Sequence, residues 1–354
     1  MFSDSTLTEA LSPRKFHLIL MPTEKCNFRC TYCYEDFLIG RMPPGVVEGI
    51  KRLLAARVPT LSVLHVTWFG GEPLVASDLV LQLGGYAHEL CRKHGVEFAA
   101  NITTNGYGLT GDLFPRLLDI SHTDYQITFD GDEEWHDRTR VLANGRATFA
   151  RIWANMEACR EAQGPFHIAF RLHVHEENVE SVKRLYGRLR KEFLQDRRFR
   201  AFFHKVSRLS ARPIKEGVLD KKGYLEALAY ITDGASTRVS RASGLSEEHL
   251  DGYICYAAKP NSLMIRADGR IGKCTVALQD PLNDLGRIKE DGTVAINNEK
   301  LRLWFEGFGT LSEQTLGCPA VTLKQAKPPK DFVIAPSEIG RHRADPVKGL
   351  AEQI

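Results

Sequence analysis

The sequence predicts an α/β protein: a parallel sheet built from βα units, open or curled into a partial barrel, followed by a small β-rich extension. Three observations carry this reading. Apolar, β-prone runs alternate with helical patterns through the first two-thirds of the 354 residues. Polar or glycine-rich motifs stand directly after four successive β-prone runs, the end of a parallel sheet where ligands gather. The composition is that of an ordinary globular protein, 43% apolar and 26% charged with a net charge of +3, which excludes collagen-like, coiled-coil and largely disordered chains.

Taken in order, the strands are expected at Phe16–Met21, Ser62–Phe69, Glu97–Thr104, Tyr125–Phe129, Phe166–Val174 and Phe199–Val206. Helices are expected between them at Pro44–Ala56, Ser77–His94, Thr110–Asp119, Arg146–Ala162 and Asn178–Phe193. The last has the plainest period, with Val179, Val182, Leu185, Leu189 and Phe193 on one side and Lys183, Arg184, Arg188 and Arg190 elsewhere. Thr232–Gly252 is rich in Ser, Gly and charge and reads as a linker. Beyond it, Ser262–Arg266, the turn Ala267-Asp268-Gly269 and Arg270–Lys273 read as a hairpin and not another βα unit. The expected division is an N-terminal segment 1–14, a barrel 15–231, a linker 232–252, an extension 253–323 and a polar tail 324–354.

No stretch approaches the length of a membrane span, and the N-terminus lacks a signal-peptide core. A cytoplasmic protein without a membrane partner is expected. In that reducing compartment the eight cysteines point to metal or redox chemistry and away from disulfides. Cys26, Cys30 and Cys33 form C-x3-C-x2-C just after the first strand. Structural zinc usually takes four ligands in two spaced pairs. Three adjacent thiolates instead suit three irons of a cubane cluster and leave the fourth iron open. Cys91 and Cys159 continue the apolar stripes of two helices and read as small packing residues.

The triplet, with Tyr32 before its last cysteine, is followed by Gly70-Gly71-Glu72-Pro73 and Thr104-Asn105-Gly106. This set resembles the radical SAM superfamily. The run Asp130-Gly131, His136-Asp137, Arg140, Gly145 and Thr148-Phe149 resembles its branch of sulfatase maturases and peptide-modifying enzymes, the likeness covering about Phe16 to Val206. The resemblance implies a partial (β/α)6 barrel and a [4Fe–4S] cluster on Cys26, Cys30 and Cys33. S-adenosylmethionine would chelate the open iron and be split to a 5′-deoxyadenosyl radical. It further implies that the loop of Gly70, Gly71, Glu72 and Pro73 receives the methionine amino group and that Tyr32 lies near the adenine. Thr104, Asn105, Thr128, Asp130 and Arg140 become candidates for the ribose and carboxylate.

Cys255, Gly269 and Cys274 follow C-x13-G-x4-C, which resembles the opening of the SPASM and twitch extensions that house auxiliary clusters. Cys318 supplies a third thiol, while the longer cysteine run of a full SPASM domain is absent. Three thiolates cannot hold eight irons, so one auxiliary iron–sulfur cluster is expected, its fourth ligand open. His173, His175 and His204, on or near the fifth and sixth strands, and Asp130 at the mouth are candidate bases. From Lys183 to Arg212 eleven Lys/Arg stand against Glu192 and Asp196, which reads as a solvated helix face before it reads as a surface for an acidic peptide or a nucleic acid.

The expected activity is a peptide maturase that abstracts hydrogen and forms a cross-link or an oxidised residue. A twitch-type dehydrogenase of a small molecule and a sulfatase-maturase-like role are the alternatives within the family, and an RNA-modifying enzyme or a plain iron–sulfur carrier stand outside them. A peptide substrate and an external flavodoxin- or ferredoxin-like electron donor are the expected partners. Because Cys26 comes early, no leader-binding domain is expected before the barrel, so a separate leader-peptide-binding protein joins the candidate partners.

Overall fold

The computed structural model describes residues 2–205, 218–234 and 252–323. Ten strands form one sheet: β1 Lys15–Leu20, β2 Val63–Trp68, β3 Glu97–Thr104, β4 His122–Phe129, β5 His167–Val174, β6 Phe199–Lys205, β7 Ser262–Ile265, β8 Arg270–Gly272, β9 Gly286–Ile288 and β10 Val294–Ile296. Their spatial order is β10-β9-β8-β7-β1-β2-β3-β4-β5-β6. β1 to β6 are parallel in chain order, the six-stranded partial barrel expected from the sequence. β7 and β8 form the expected antiparallel hairpin, yet β7 also joins β1 in parallel, so the extension continues the barrel sheet.

Alternation along each strand separates two environments. On β5, Ile168, Phe170, Leu172 and Val174 pack into the main core beneath the helices. Ala169, Arg171 and His173 therefore face the concave side. The same parity turns His65 and Thr67 of β2, Asn101 of β3, Gln126 and Thr128 of β4, and Phe202 and His204 of β6 inward. Helix Val179–Glu192 buries Val182, Leu185 and Leu189 against this sheet, the face its period predicts.

The differences from expectation have local causes. β4 begins at His122, three residues early, because the polar start of the strand is buried. The His122 imidazole takes the Trp68 indole N–H at 2.7 Å and meets the Ile120 carbonyl through Nδ1. The helix expected from Thr110 starts at Leu113, since the Thr110 hydroxyl accepts from the Leu113 amide in the preceding turn. Helix Phe149–Glu161 starts three residues late because Asp137 holds the amides of Thr148 and Phe149 at 2.8 and 2.9 Å. Helix Asp4–Leu11, capped by Ser3, puts Ala10 in a small cluster with Ile254, Ala258 and Leu316 of the extension. Among the described residues no helix is long and apolar enough to cross a membrane. Val206, residues 235–251 of the expected linker and the tail from 324 lie outside the described residues.

Candidate functional site

The loop after β1 carries Cys26, Cys30 and Cys33 and is held along both sides. Its 27–31 segment lies against 139–143: Arg29 N donates to Val141 O, Thr31 N to Thr139 O, and Ala143 N to Asn27 O, all at 2.8–2.9 Å. The run around His136, Asp137 and Arg140 thus builds the wall on which the cysteine loop rests. Asp137 caps the next helix, and the Thr148 hydroxyl holds the Arg140 carbonyl at 2.6 Å.

The loop after β2 forms the other side. A Cβ on Gly71 would stand 2.5 Å from the Lys25 carbonyl oxygen and 2.7 Å from that of Glu24, both backbone of the cysteine loop. Gly70 has φ +123° and faces the Thr23 carbonyl as closely. Loop-on-loop packing therefore leaves no room for a side chain at either position. Glu72 is buried, and its carboxylate accepts from the Thr104 hydroxyl at 2.6 Å, the Asn105 amide at 2.6 Å and the Leu74 amide at 3.0 Å. Pro73 follows it in the first turn of a short helix. The Asn105 side chain donates to Asn27 Oδ1 at 2.8 Å, so the third loop grips the first.

A second network closes the mouth. Tyr32 donates to Asp130 Oδ1 at 2.8 Å and accepts from Arg140 Nη1 at 2.7 Å. His173 Nδ1 lies 3.1 Å from Asp130 Oδ1, and the Thr139 hydroxyl donates to Oδ2 at 2.7 Å. Burial alone would raise the Asp130 carboxyl, but the His173 hydrogen bond and the Arg140 charge hold it well below the usual carboxylate range. Burial pushes the His173 imidazole down to about 4 against the pull of Asp130, so it is neutral near pH 7. Its Nδ1 bonds the Tyr32 hydroxyl at 3.2 Å beside Asp130, and Nε2 has no partner among the described residues. His204 stands opposite His173 on β6, and Thr128 opposite Arg171 on β4 and β5. His175 lies outside this group and caps the turn before helix Val179–Glu192.

The cysteines sort into two kinds. Cys26 and Cys274 each accept a backbone amide from two residues further on, from Phe28 at 3.3 Å and from Val276 at 3.4 Å, while the backbone amides of Cys30 itself, Glu35 and Ala257 draw the Cys30, Cys33 and Cys255 thiols down. Such N–H···S bonds stabilise a thiolate and tune a cluster. The buried, helical Cys91 and Cys159 receive none and feel burial alone. Burial raises the thiols of both sets, Cys33 to about 11 and Cys255 to about 12. Metal binding must therefore displace these protons. Burial raises the Cys255 thiol most, and the charges of Cys274 and Cys318 push it in the same direction. Among the described residues no three His, Cys, Asp or Glu groups are gathered tightly enough for a single metal ion. A cubane instead takes each thiolate on a different iron, which asks for a wider spacing than a single ion does.

Residues that the sequence did not single out join the two sets. The Tyr34 hydroxyl, next to Cys33, donates to the carbonyl of Thr275, next to Cys274, at 3.1 Å. Tyr256 bonds the Thr275 hydroxyl at 2.8 Å. Glu24 and Arg266 form a buried bidentate pair between the cysteine loop and the hairpin. Lys273 is wholly buried, its ammonium held by the carbonyls of Lys259 and Ser262, and burial brings it down to about 7. Four of the nine cations in the described part of the basic stretch stand in these ion pairs: Lys183 on Asp233, Arg184 on Asp132, Arg188 on Glu192 and Arg198 on Asp196.

Residues 20–189 match the family model of the radical SAM superfamily. A serine-type anaerobic sulfatase-maturating enzyme of Klebsiella aerogenes is 26% identical over 186 residues, 51% of this chain and 45% of that enzyme. The chain thus spans less than half the length of that curated relative. Among solved structures, native anSMEcpe with bound AdoMet and Cp18Cys peptide is similar with a TM-score of 0.60 and 19% identity, over 82% of this chain and 83% of that one. SuiB of Streptococcus suis bound to the precursor peptide SuiA is similar with a TM-score of 0.56 and 14% identity, over 94% and 78%. At those identities the likeness is one of fold.

Proposed function

Residues 20–189 are a radical SAM domain, and from that premise we propose that the chain is a peptide-modifying oxidoreductase that matures a ribosomal peptide by removing hydrogen. Cys26, Cys30 and Cys33 would hold the [4Fe–4S] cluster to which such a domain binds S-adenosylmethionine, and Cys255, Cys274 and Cys318 one auxiliary cluster. When bound, the cluster and S-adenosylmethionine supply a 5′-deoxyadenosyl radical that takes one hydrogen atom from a substrate. The chain's part is position and exclusion of water. The Phe28 and Glu35 amides would steady the thiolates. Glu72 keeps three loops in register, with capacity left on its carboxylate for one more donor such as an amino group. Tyr32, Asp130 and Arg140 would border the cofactor. His173, neutral and with Nε2 unpartnered among the described residues, would accept a proton from the substrate, and a cluster held by Cys255, Cys274 and Cys318 would supply electron-accepting chemistry.

The observation that carries this reading is that one thiol of each expected set, Cys26 and Cys274, accepts a backbone amide, and the two helical thiols do not. The peptide substrate is supported by anSMEcpe and SuiB, similar folds that bind peptides. A sulfatase-maturase-like modification is the second reading, supported by the Klebsiella relative. An electron donor of the flavodoxin or ferredoxin class and a separate leader-binding protein complete the proposal.

The test is iron and sulfide per chain after anaerobic reconstitution. About eight irons should fall to about four in Cys255→Ala/Cys274→Ala/Cys318→Ala, and Cys30→Ala should make no 5′-deoxyadenosine. Short peptides encoded beside the gene should lose two hydrogens by mass spectrometry, and a serine-bearing sulfatase peptide should not. About four irons in both proteins would remove the auxiliary cluster, and 5′-deoxyadenosine from Cys30→Ala would remove the radical assignment.

A further inference from the structure

Arg171 is unlike the other cations of the barrel mouth. Arg140 donates to Tyr32, Arg266 pairs with Glu24, Lys25 donates to the Phe37 carbonyl, and Lys273 is held by two carbonyls. Arg171 has no hydrogen bond or ion pair among the described residues, and its Nε is sealed from water without an acceptor. Strand parity points it into the lumen, between Thr128 of β4 and Phe202 of β6 and two residues from His173. Tyr32, Tyr34, Arg140 and Asp130 are the charged or ionisable groups it feels most. Asp130, the carboxylate among them, is already engaged by Tyr32, His173 and Thr139. Across the lumen the polar groups are neutral or committed: His17 meets Thr67, and His65 and Thr67 both meet Asn101.

A guanidinium stays charged in any protein environment, and its five N–H groups form a fork that matches a carboxylate. Leaving such a group half-buried without an acceptor is unfavourable, and an incoming anion would relieve that. We propose that Arg171 is a carboxylate-binding residue inside the barrel, so that the substrate presents an acidic side chain or a free C-terminus beside the position that reacts. The inference rests on the peptide reading above and deepens it: the substrate is an acidic peptide, recognised within the lumen by one fork of hydrogen bonds.

The test is equilibrium dialysis of the reconstituted, unreduced holoenzyme with bound S-adenosylmethionine, so that nothing turns over. The probes are N-acetyl-glutamate N-methylamide, its neutral glutamine counterpart, and N-acetyl-alanine, which carries only an α-carboxylate. The native protein should prefer at least one carboxylate probe over the glutamine probe by about ten-fold or more, as charge-assisted bonds do. Whichever carboxylate wins tells a side chain from a C-terminus. Arg171→Met should erase the preference, and Arg171→Lys should keep a smaller one, because charge remains and the fork is lost. No preference in the native protein, or an unchanged one in Arg171→Met, overturns the proposal. An equal loss of S-adenosylmethionine affinity in Arg171→Met would give the guanidinium to the cofactor's own carboxylate and also overturn it. So would failure of both Arg171→Met and Arg171→Gln to fold, since that would mean the native side chain has an intramolecular partner. Dialysis reads no chemistry. A native protein that prefers the acidic probe but never cleaves S-adenosylmethionine sinks the function and leaves the site standing.

Discussion

Replacing Arg266 by methionine tests how the cysteine loop is tied to the hairpin. Arg266 and Glu24 are 4% and 2% exposed, and they meet through Nε–Oε1 at 3.0 Å and Nη2–Oε2 at 2.6 Å. Nη1 also donates to the Leu278 carbonyl at 2.8 Å. Without the guanidinium, the Glu24 carboxylate stays buried with no cation and Leu278 loses its donor. Breaking one side of a buried pair costs about 3–5 kcal/mol. With an unfolding entropy of about 2.1 cal/mol/K per residue over 354 residues, the Tm should fall by about 4–7 °C. The assay is urea and thermal unfolding of the reduced apoprotein. Glu24→Gln/Arg266→Met should recover part of the loss, because no unpaired charge remains. A cost below about 1 kcal/mol for Arg266→Met, or a double variant as unstable as the sum of the singles, would refute the coupling.

Two further outcomes are expected. His136 is fully buried between Phe129 and Phe149, with neither ring nitrogen partnered among the described residues, and burial pushes it down to about 3. Its folded value lies below the unfolded value near 6.5, so its contribution is full above pH 6.5 and is lost as pH falls toward 3. His136→Phe should flatten the acid limb of stability by about 1.4 kcal/mol per pH unit between pH 6 and 4, read from urea midpoints; an unchanged slope would mean the imidazole is not buried neutral. Cys91→Ala should cost about 1 kcal/mol of stability, from one buried atom lost, and leave iron per chain unaltered; any loss of iron would undo the assignment of Cys91 to packing.

Most of the barrel was legible because each central strand is a run of alternate core residues and each helix has a clear apolar stripe. The segments that were missed are short or polar. β9 and β10 have three residues each, too few to give a pattern, and helix Glu133–Thr139 is set by the Asp132 cap and not by an apolar face. The convergence of Tyr32, Asp130, Arg140 and His173 was foreseeable from four motifs following parallel strands. The Glu24–Arg266 pair was not, since its partners stand 242 positions apart. Arg171 left a fainter trace: it shares the parity of His173 on a strand whose other face is wholly apolar.

The two kinds of cysteine follow from backbone geometry. A residue in a turn can accept, through its side chain, the amide of the second residue on, as Asn, Asp, Ser and Thr commonly do. Cys26, Cys33, Cys255 and Cys274 all lie outside helices and strands, and the amide two residues on is bonded to sulfur at Cys26 and Cys274. Inside a helix that amide is committed to the carbonyl four residues before it, so Cys91 and Cys159 have no such donor. Binding metal requires thiolates, and thiolates in a buried site require donors that cost no reorganisation when the charge appears. A cysteine that breaks the local helical period therefore stands where the backbone can already serve a thiolate, whereas one that continues the period does not. On this ground the C-terminal set, whose spacing is far looser than that of the first triplet, deserves the same chemical reading as Cys26 and Cys33. The Tyr34–Thr275 hydrogen bond joins the two segments that carry these sets.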